Sequence, residues 1–147
     1  MKFKITNKSD SLDYQQFRPI LSSFLDYASK RMGFNKPPSL FFMSDSETAH
    51  YDPANMGVTI YTDNRHPKDI LRSLSHELVH HKQNCDGKFD EMGETGEGYA
   101  QNDKHLRSME GEAYLQGNMC FRDWEDTHKK QLQESNYYFR GDKKMKW

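Results

Sequence analysis

Between Pro67 and Asn84 the chain carries a two-sided helical pattern, and any fold it adopts has to satisfy both sides. At about 100° per residue, Ile70, Leu71, Leu74 and Leu78 span one arc of roughly 100°. His76, Glu77 and His80 occupy the neighbouring arc. Such a helix presses one face on a sheet and turns the other towards a cleft. Pro67 suits the first helical position, and Asp69 suits the positive end of the helix dipole.

The polar arc reads His76-Glu77-Leu78-Val79-His80, the pattern H-E-x-x-H. Two histidines four residues apart lie one turn above each other, so both rings reach one ion. The intervening Glu77 projects beside them, where it takes a proton from a water activated there. In a chain with this His and Glu content, chance gives about 0.02 such matches. The competing explanation is a surface helix that happens to carry these residues.

A catalytic zinc site needs three protein ligands and an open position. The third is expected from Met109–Tyr114, on a second helix predicted from about Asp103 to at least Glu125. Leu106, Ala113, Tyr114, Gly117, Phe121 and Trp124 form one stripe within about 60° of Glu110. Glu110 is therefore expected in the middle of the buried face, and Glu112, about 200° away on the wheel, in solvent. A carboxylate centred in an apolar stripe is costly unless paired or metal-bound. A salt bridge to Arg72 or Arg107 is the other explanation for Glu110. Ala113 and Gly117 are small and let this helix approach its neighbour closely.

Around these two helices the pattern predicts an α+β fold with a small, mixed sheet. Residues 2–6 read as a strand. Residues 11–32 read as a helix, kinked or started late by Pro19 and ended at Gly33. Ser39–Met43 reads as a buried strand. Residues 48–62 read as a hairpin, or a loop followed by a strand, with turn chemistry at Asp52-Pro53 and Asn55. Residues 85–102 read as a long acidic loop. Residues 129–147 read as a basic tail that frays.

With HELVH at 76–80 and E-x-E-A at 110–113, the chain resembles the gluzincin branch of the zincin metallopeptidases, over about residues 39–125. There is a weaker likeness to small HExxH proteins encoded by bacteriophages. The resemblance implies a single zincin-like domain over residues 1–147 that binds one zinc ion. His76, His80 and Glu110 match its ligands, and Glu77 its general base. It implies an edge strand that aligns extended substrate, matched by Gly57, Val58, Thr59 and Ile60 within residues 57–62. Many gluzincins carry Asp or Asn four residues after the third ligand, supporting a ligand histidine. Here that residue is Tyr114, whose phenol can also hydrogen-bond.

Other residues compete for these roles. Asp86 stands where some related proteases place a third ligand, but Gln83 replaces the glycine that allows the necessary turn. His105 is another candidate third ligand, about 140° from Glu110 on the wheel. Tyr99 and His105 are candidates for stabilising an oxyanion. His81 reads as a hydrogen-bonded core or boundary histidine, and His50 and His66 as surface or capping residues. Glu91, Glu94 and Glu97 read as solvated acids that would favour basic peptides. Cys85 and Cys120 are too few for a structural zinc site and read as plain thiols.

The formal net charge of -1 points to neither nucleic acid nor a membrane surface as partner. No apolar run reaches the roughly 20 residues of a membrane span. The N-terminal sequence lacks the apolar stretch of a secretory signal, and a cytoplasmic location is expected. These features predict a zinc-dependent peptidase whose partners are peptides or proteins. The alternative is a zincin-fold binding or regulatory protein that cuts nothing.

Overall fold

The computed structural model describes residues 2–89 and 99–133, with the side chains of the second long helix described from Lys104 onward. Its elements run β1 (Lys4–Lys8), α1 (Tyr14–Met32), β2 (Ser39–Met43), β3 (Ala49–Asp52), β4 (Gly57–Tyr61), α2 (Pro67–Cys85), α3 (Tyr99–Thr127) and α4 (Lys129–Gln133). Among the described residues this is a small α+β domain with one four-stranded mixed sheet and four helices. None of these helices is long and apolar enough to cross a membrane.

Local chemistry accounts for the element ends. Asp13 caps α1, its side chain accepting from the Gln16 N–H. Gly33 ends that helix at φ 76°, a left-handed conformation that glycine adopts without strain, and its N–H closes on the Ser29 carbonyl. Pro19 lies inside α1. His66 caps α2, with its Nδ1 accepting from the Lys68 N–H at 3.0 Å, and Pro67 follows in the first turn.

The sheet order is β1-β2-β4-β3. β1, β2 and β4 are parallel neighbours, whereas β3 runs antiparallel to β4 with Ala49 opposite Ile60 and Tyr51 opposite Val58. This corrects the expectation for Gly57, Val58, Thr59 and Ile60. Both sides of β4 are paired, to β2 and to β3, so its backbone cannot add a peptide strand. Gly57, Val58 and Ile60 are buried. The edge on this side of the sheet is β3, which the hairpin lays along the outer side of β4; β1 is the opposite edge.

The core lies between the sheet and the helices. Leu40, Phe42, Val58 and Ile60 from the sheet meet Leu21 and Phe24 of α1 and Ile70, Leu71, Leu74 and Leu78 of α2, all essentially inaccessible. Trp124 of α3 completes it, edge-on to Phe24 at 5.3 Å, with its indole N–H donating to Ser23 Oγ at 3.1 Å. Aromatic rings thus fill much of the volume in a chain of low aliphatic content. Of the basic tail, α4 is described, with Leu132 buried; residues 134–147 lie outside the described residues. So do residues 90–98 of the acidic loop, including Glu91, Glu94 and Glu97.

Candidate metal centre

α2 touches β3, β4 and α3, so its polar arc sits where the sheet edge and α3 meet. Contact with α3 is unusually close. A Cβ built on Gly117 would stand 2.9 Å from His76 Cα, and Ser75 Oγ donates to the Gly117 carbonyl at 2.7 Å. Gly117, one of the two small residues expected to permit a close approach, does so directly behind His76.

This approach brings His76, His80 and Glu110 together. His76 Nε2 lies 2.8 Å from Glu110 Oε1, and His80 Nε2 lies 3.4 Å from both carboxylate oxygens. One ligand atom from each residue falls within 4.8 Å of the others, the single cluster of this kind among the described residues. In a tetrahedral zinc site with bonds of about 2.0–2.2 Å, ligand atoms stand about 3.4 Å apart. The donor set of two imidazole nitrogens and one carboxylate, with these spacings, fits a zinc ion that keeps one position open.

Glu77 lies beside the cluster and is only 8% exposed. Burial pushes its carboxyl up; His80 opposes this and Glu110 adds to it, for a net value of about 7. For Glu110, burial again acts upwards, but the two histidines outweigh it and hold the carboxyl below its ordinary range. Glu77 and Glu110 therefore differ in character: one holds a proton near neutrality, the other is an anion facing two imidazoles.

Glu110 is not centred in the buried face. Its side chain is 63% exposed, whereas the buried stripe of α3 consists of Met109, Ala113, Gly117, Cys120, Phe121 and Trp124. Including Met109 and Cys120 turns the centre of that stripe roughly 50° away from Glu110. Glu110 sits at the margin, where it meets α2 without being entombed. Leu106 and Tyr114, also expected in the stripe, are exposed.

The remaining candidates are dispersed. Tyr114 is 68% exposed and bonds to neither His76 nor His80. The support expected from it comes instead from Gln83, whose Oε1 lies 2.8 Å from His80 Nδ1. His105 Nε2 donates to the Lys88 carbonyl at 2.8 Å, and this ties α3 to the end of the preceding turn; the ring is not in the cluster. Asp86 ends α2 and pairs with Lys82 at 3.0 Å, also outside the cluster. Tyr99 opens α3, and its side chain lies outside the described residues.

His81 is fully buried, as its place on the wheel implies. Its Nε2–H donates to the Lys36 carbonyl and its Nδ1 accepts from the Tyr51 hydroxyl at 2.8 Å. Burial holds this imidazole below its ordinary value, against the pull of the Lys36 carbonyl. Asn84 Nδ2 donates to the same Tyr51 oxygen at 3.0 Å. Strand β3 is thereby pinned to α2 next to the cluster.

A cleft of about 520 Å³ opens over Glu77, His80 and Glu110. Ala49, His50 and Tyr51 of β3 form one wall, Leu106, Met109 and Glu110 of α3 the other, with Glu77 and His80 between. The contribution of β3 was missed in the sequence because AHYD lacks an apolar alternation. Gln83 was detectable, being three residues after His80 on one helix face. Comparison with models of protein families, with curated proteins and with solved structures returned no match.

Proposed function

We propose that this chain is a zinc-dependent peptidase that hydrolyses peptide bonds, with His76, His80 and Glu110 as ligands and Glu77 as general base. One observation carries the proposal: three ligand atoms from two helices converge beside a buried carboxyl, at the floor of an open cleft. The mixed sheet, its antiparallel edge strand and the HExxH helix beneath it support a zincin-like fold.

When bound, zinc supplies Lewis acidity, polarising a carbonyl and making a water acidic near neutral pH. The protein's own residues do the rest. Glu77, with a carboxyl near neutrality, takes the proton of the attacking water and delivers it to the leaving amine. The cleft between β3 and α3 admits an extended chain, so the proposed partner is a peptide or an unfolded protein segment. A reducing, cytoplasmic setting belongs to the same proposal, since Cys85 and Cys120 are free thiols.

Glu77→Gln tests it. The substitution keeps shape and removes the base. Cleavage of a peptide library is expected to fall by at least about 100-fold, the lower range for a general base, while zinc content and fold persist. A wild type that binds zinc and cleaves nothing in the library contradicts a peptidase and favours a binding or regulatory role.

A further inference from the structure

Gln83 is 1% exposed, and its amide is held at both ends. Its Nε2 donates to the Met109 carbonyl at 3.0 Å and to Glu112 Oε1 at 2.7 Å. Its Oε1 faces His80 Nδ1 at 2.8 Å. The two neighbours at the Nε2 end are pure acceptors, a backbone carbonyl and a carboxylate. Only an NH2 group satisfies both, so the amide cannot flip without setting three acceptors against one another. The oxygen must then point at His80, and His80 must carry its proton on Nδ1. That tautomer leaves the Nε2 lone pair free, directed at Glu110.

We infer that Gln83 is a positioning residue: with Glu112 as its anchor, it fixes His80 in the one neutral tautomer that can ligate a metal through Nε2. The inference rests on His80 being a metal ligand, as proposed above. It gives separate tasks to the two acids of the E-x-E-A segment. Glu110 meets the histidines directly, while Glu112, on the other flank of the buried stripe, acts through an amide. It also explains a buried polar side chain at a position between α2 and α3 where an apolar residue would otherwise pack. A leucine there would leave the Met109 carbonyl and His80 Nδ1 without their partner. Lys88 Nζ lies 3.5 Å from Glu112 Oε1.

The decisive readout is the protonation pattern of the His80 ring, measured by two-bond nitrogen–proton NMR on the metal-free protein. The spectra are recorded at about pH 9, well above the ordinary imidazole value of about 6.5, where a ring tautomer can be assigned. The wild type is expected to show the Nδ1–H form. Gln83→Leu is expected to lose that preference, and Glu112→Ala, at an exposed position that leaves the core intact, to weaken it. Zinc affinity by chelator competition is expected to fall about 10–100-fold in Gln83→Leu, the range for supporting residues of metal sites. In the Gln83→Leu background, Glu112→Ala is expected to add nothing further. An Nε2–H or evenly mixed His80 in the wild type overturns the inference, as does a Glu112→Ala effect that is equally large without Gln83. The NMR result needs neither zinc nor cleavage, so a failed peptidase assay alone leaves the inference standing.

Discussion

Gly117 of α3 lies directly against the backbone of His76 on α2, where a Cβ would stand 2.9 Å from His76 Cα and 3.0 Å from its amide nitrogen. The obstacle is backbone, not a flexible side-chain end, so the helices have to separate to admit even a methyl group. Gly117→Ala is expected to destabilise the fold by about 1–3 kcal/mol, the usual cost of overpacking. It also moves Glu110 away from His76, so zinc affinity falls in the same variant. Urea melts and chelator competition measure the two effects. A fully stable Gly117→Ala protein with wild-type affinity contradicts the closeness of this contact.

Glu77 makes the metal-free protein sensitive to pH in a defined direction. Its carboxyl rises from 4.5 in the unfolded chain to about 7 in the fold, mainly through burial. A raised acid favours the folded state while protonated. That contribution is complete below about 4.5 and is lost as pH climbs through about 7. Glu77→Gln has no such titration. In chelator, the variant should gain on the wild type across this window, by up to roughly 3 kcal/mol. Denaturation of both proteins at about pH 5 and about pH 8 gives the difference. A difference that does not grow with pH contradicts a buried Glu77.

Tyr51 offers a separate test of how the edge strand is held. Its hydroxyl donates to the buried His81 Nδ1 and accepts from Asn84. Tyr51→Phe strands the His81 acceptor inside the fold, at an expected cost of about 1–3 kcal/mol. Zinc affinity should stay within about twofold, since the ring packing and the side chains of His76, His80 and Glu110 are untouched. Equal stability of the variant by thermal melting contradicts this role.

Much of the candidate site's geometry was legible from spacing alone. The i, i+4 histidines and the apolar arc beside them determine one helix, its buried face and its open face. Glu110 was found on a second helix by its place on the wheel, although it lies at the margin of the buried stripe and not at its centre. Met109 and Cys120, polarisable residues easily passed over in an apolar count, account for that rotation. The edge strand was not legible. The alternation at Val58 and Ile60 belongs to the strand with stronger apolar character, and such strands are drawn to the inside of a sheet. Ala49–Asp52 has only four residues and little apolar signal, so its edge position depends on pairing with β4. The support of His80 by Gln83 was within reach of an i, i+3 count, but the link onward to Glu112 joins residues on different helices and needs the fold.

Zinc binding by wild type, Glu110→Ala and Asp86→Asn, measured as stoichiometry and affinity in one chelator series, tests the central claim most directly. One ion per chain is expected in the wild type, with unchanged affinity in Asp86→Asn and a loss beyond about 100-fold in Glu110→Ala, more than a supporting residue causes. A wild type without zinc, or a Glu110→Ala protein that holds it as tightly, would contradict the assignment of these three residues to one metal.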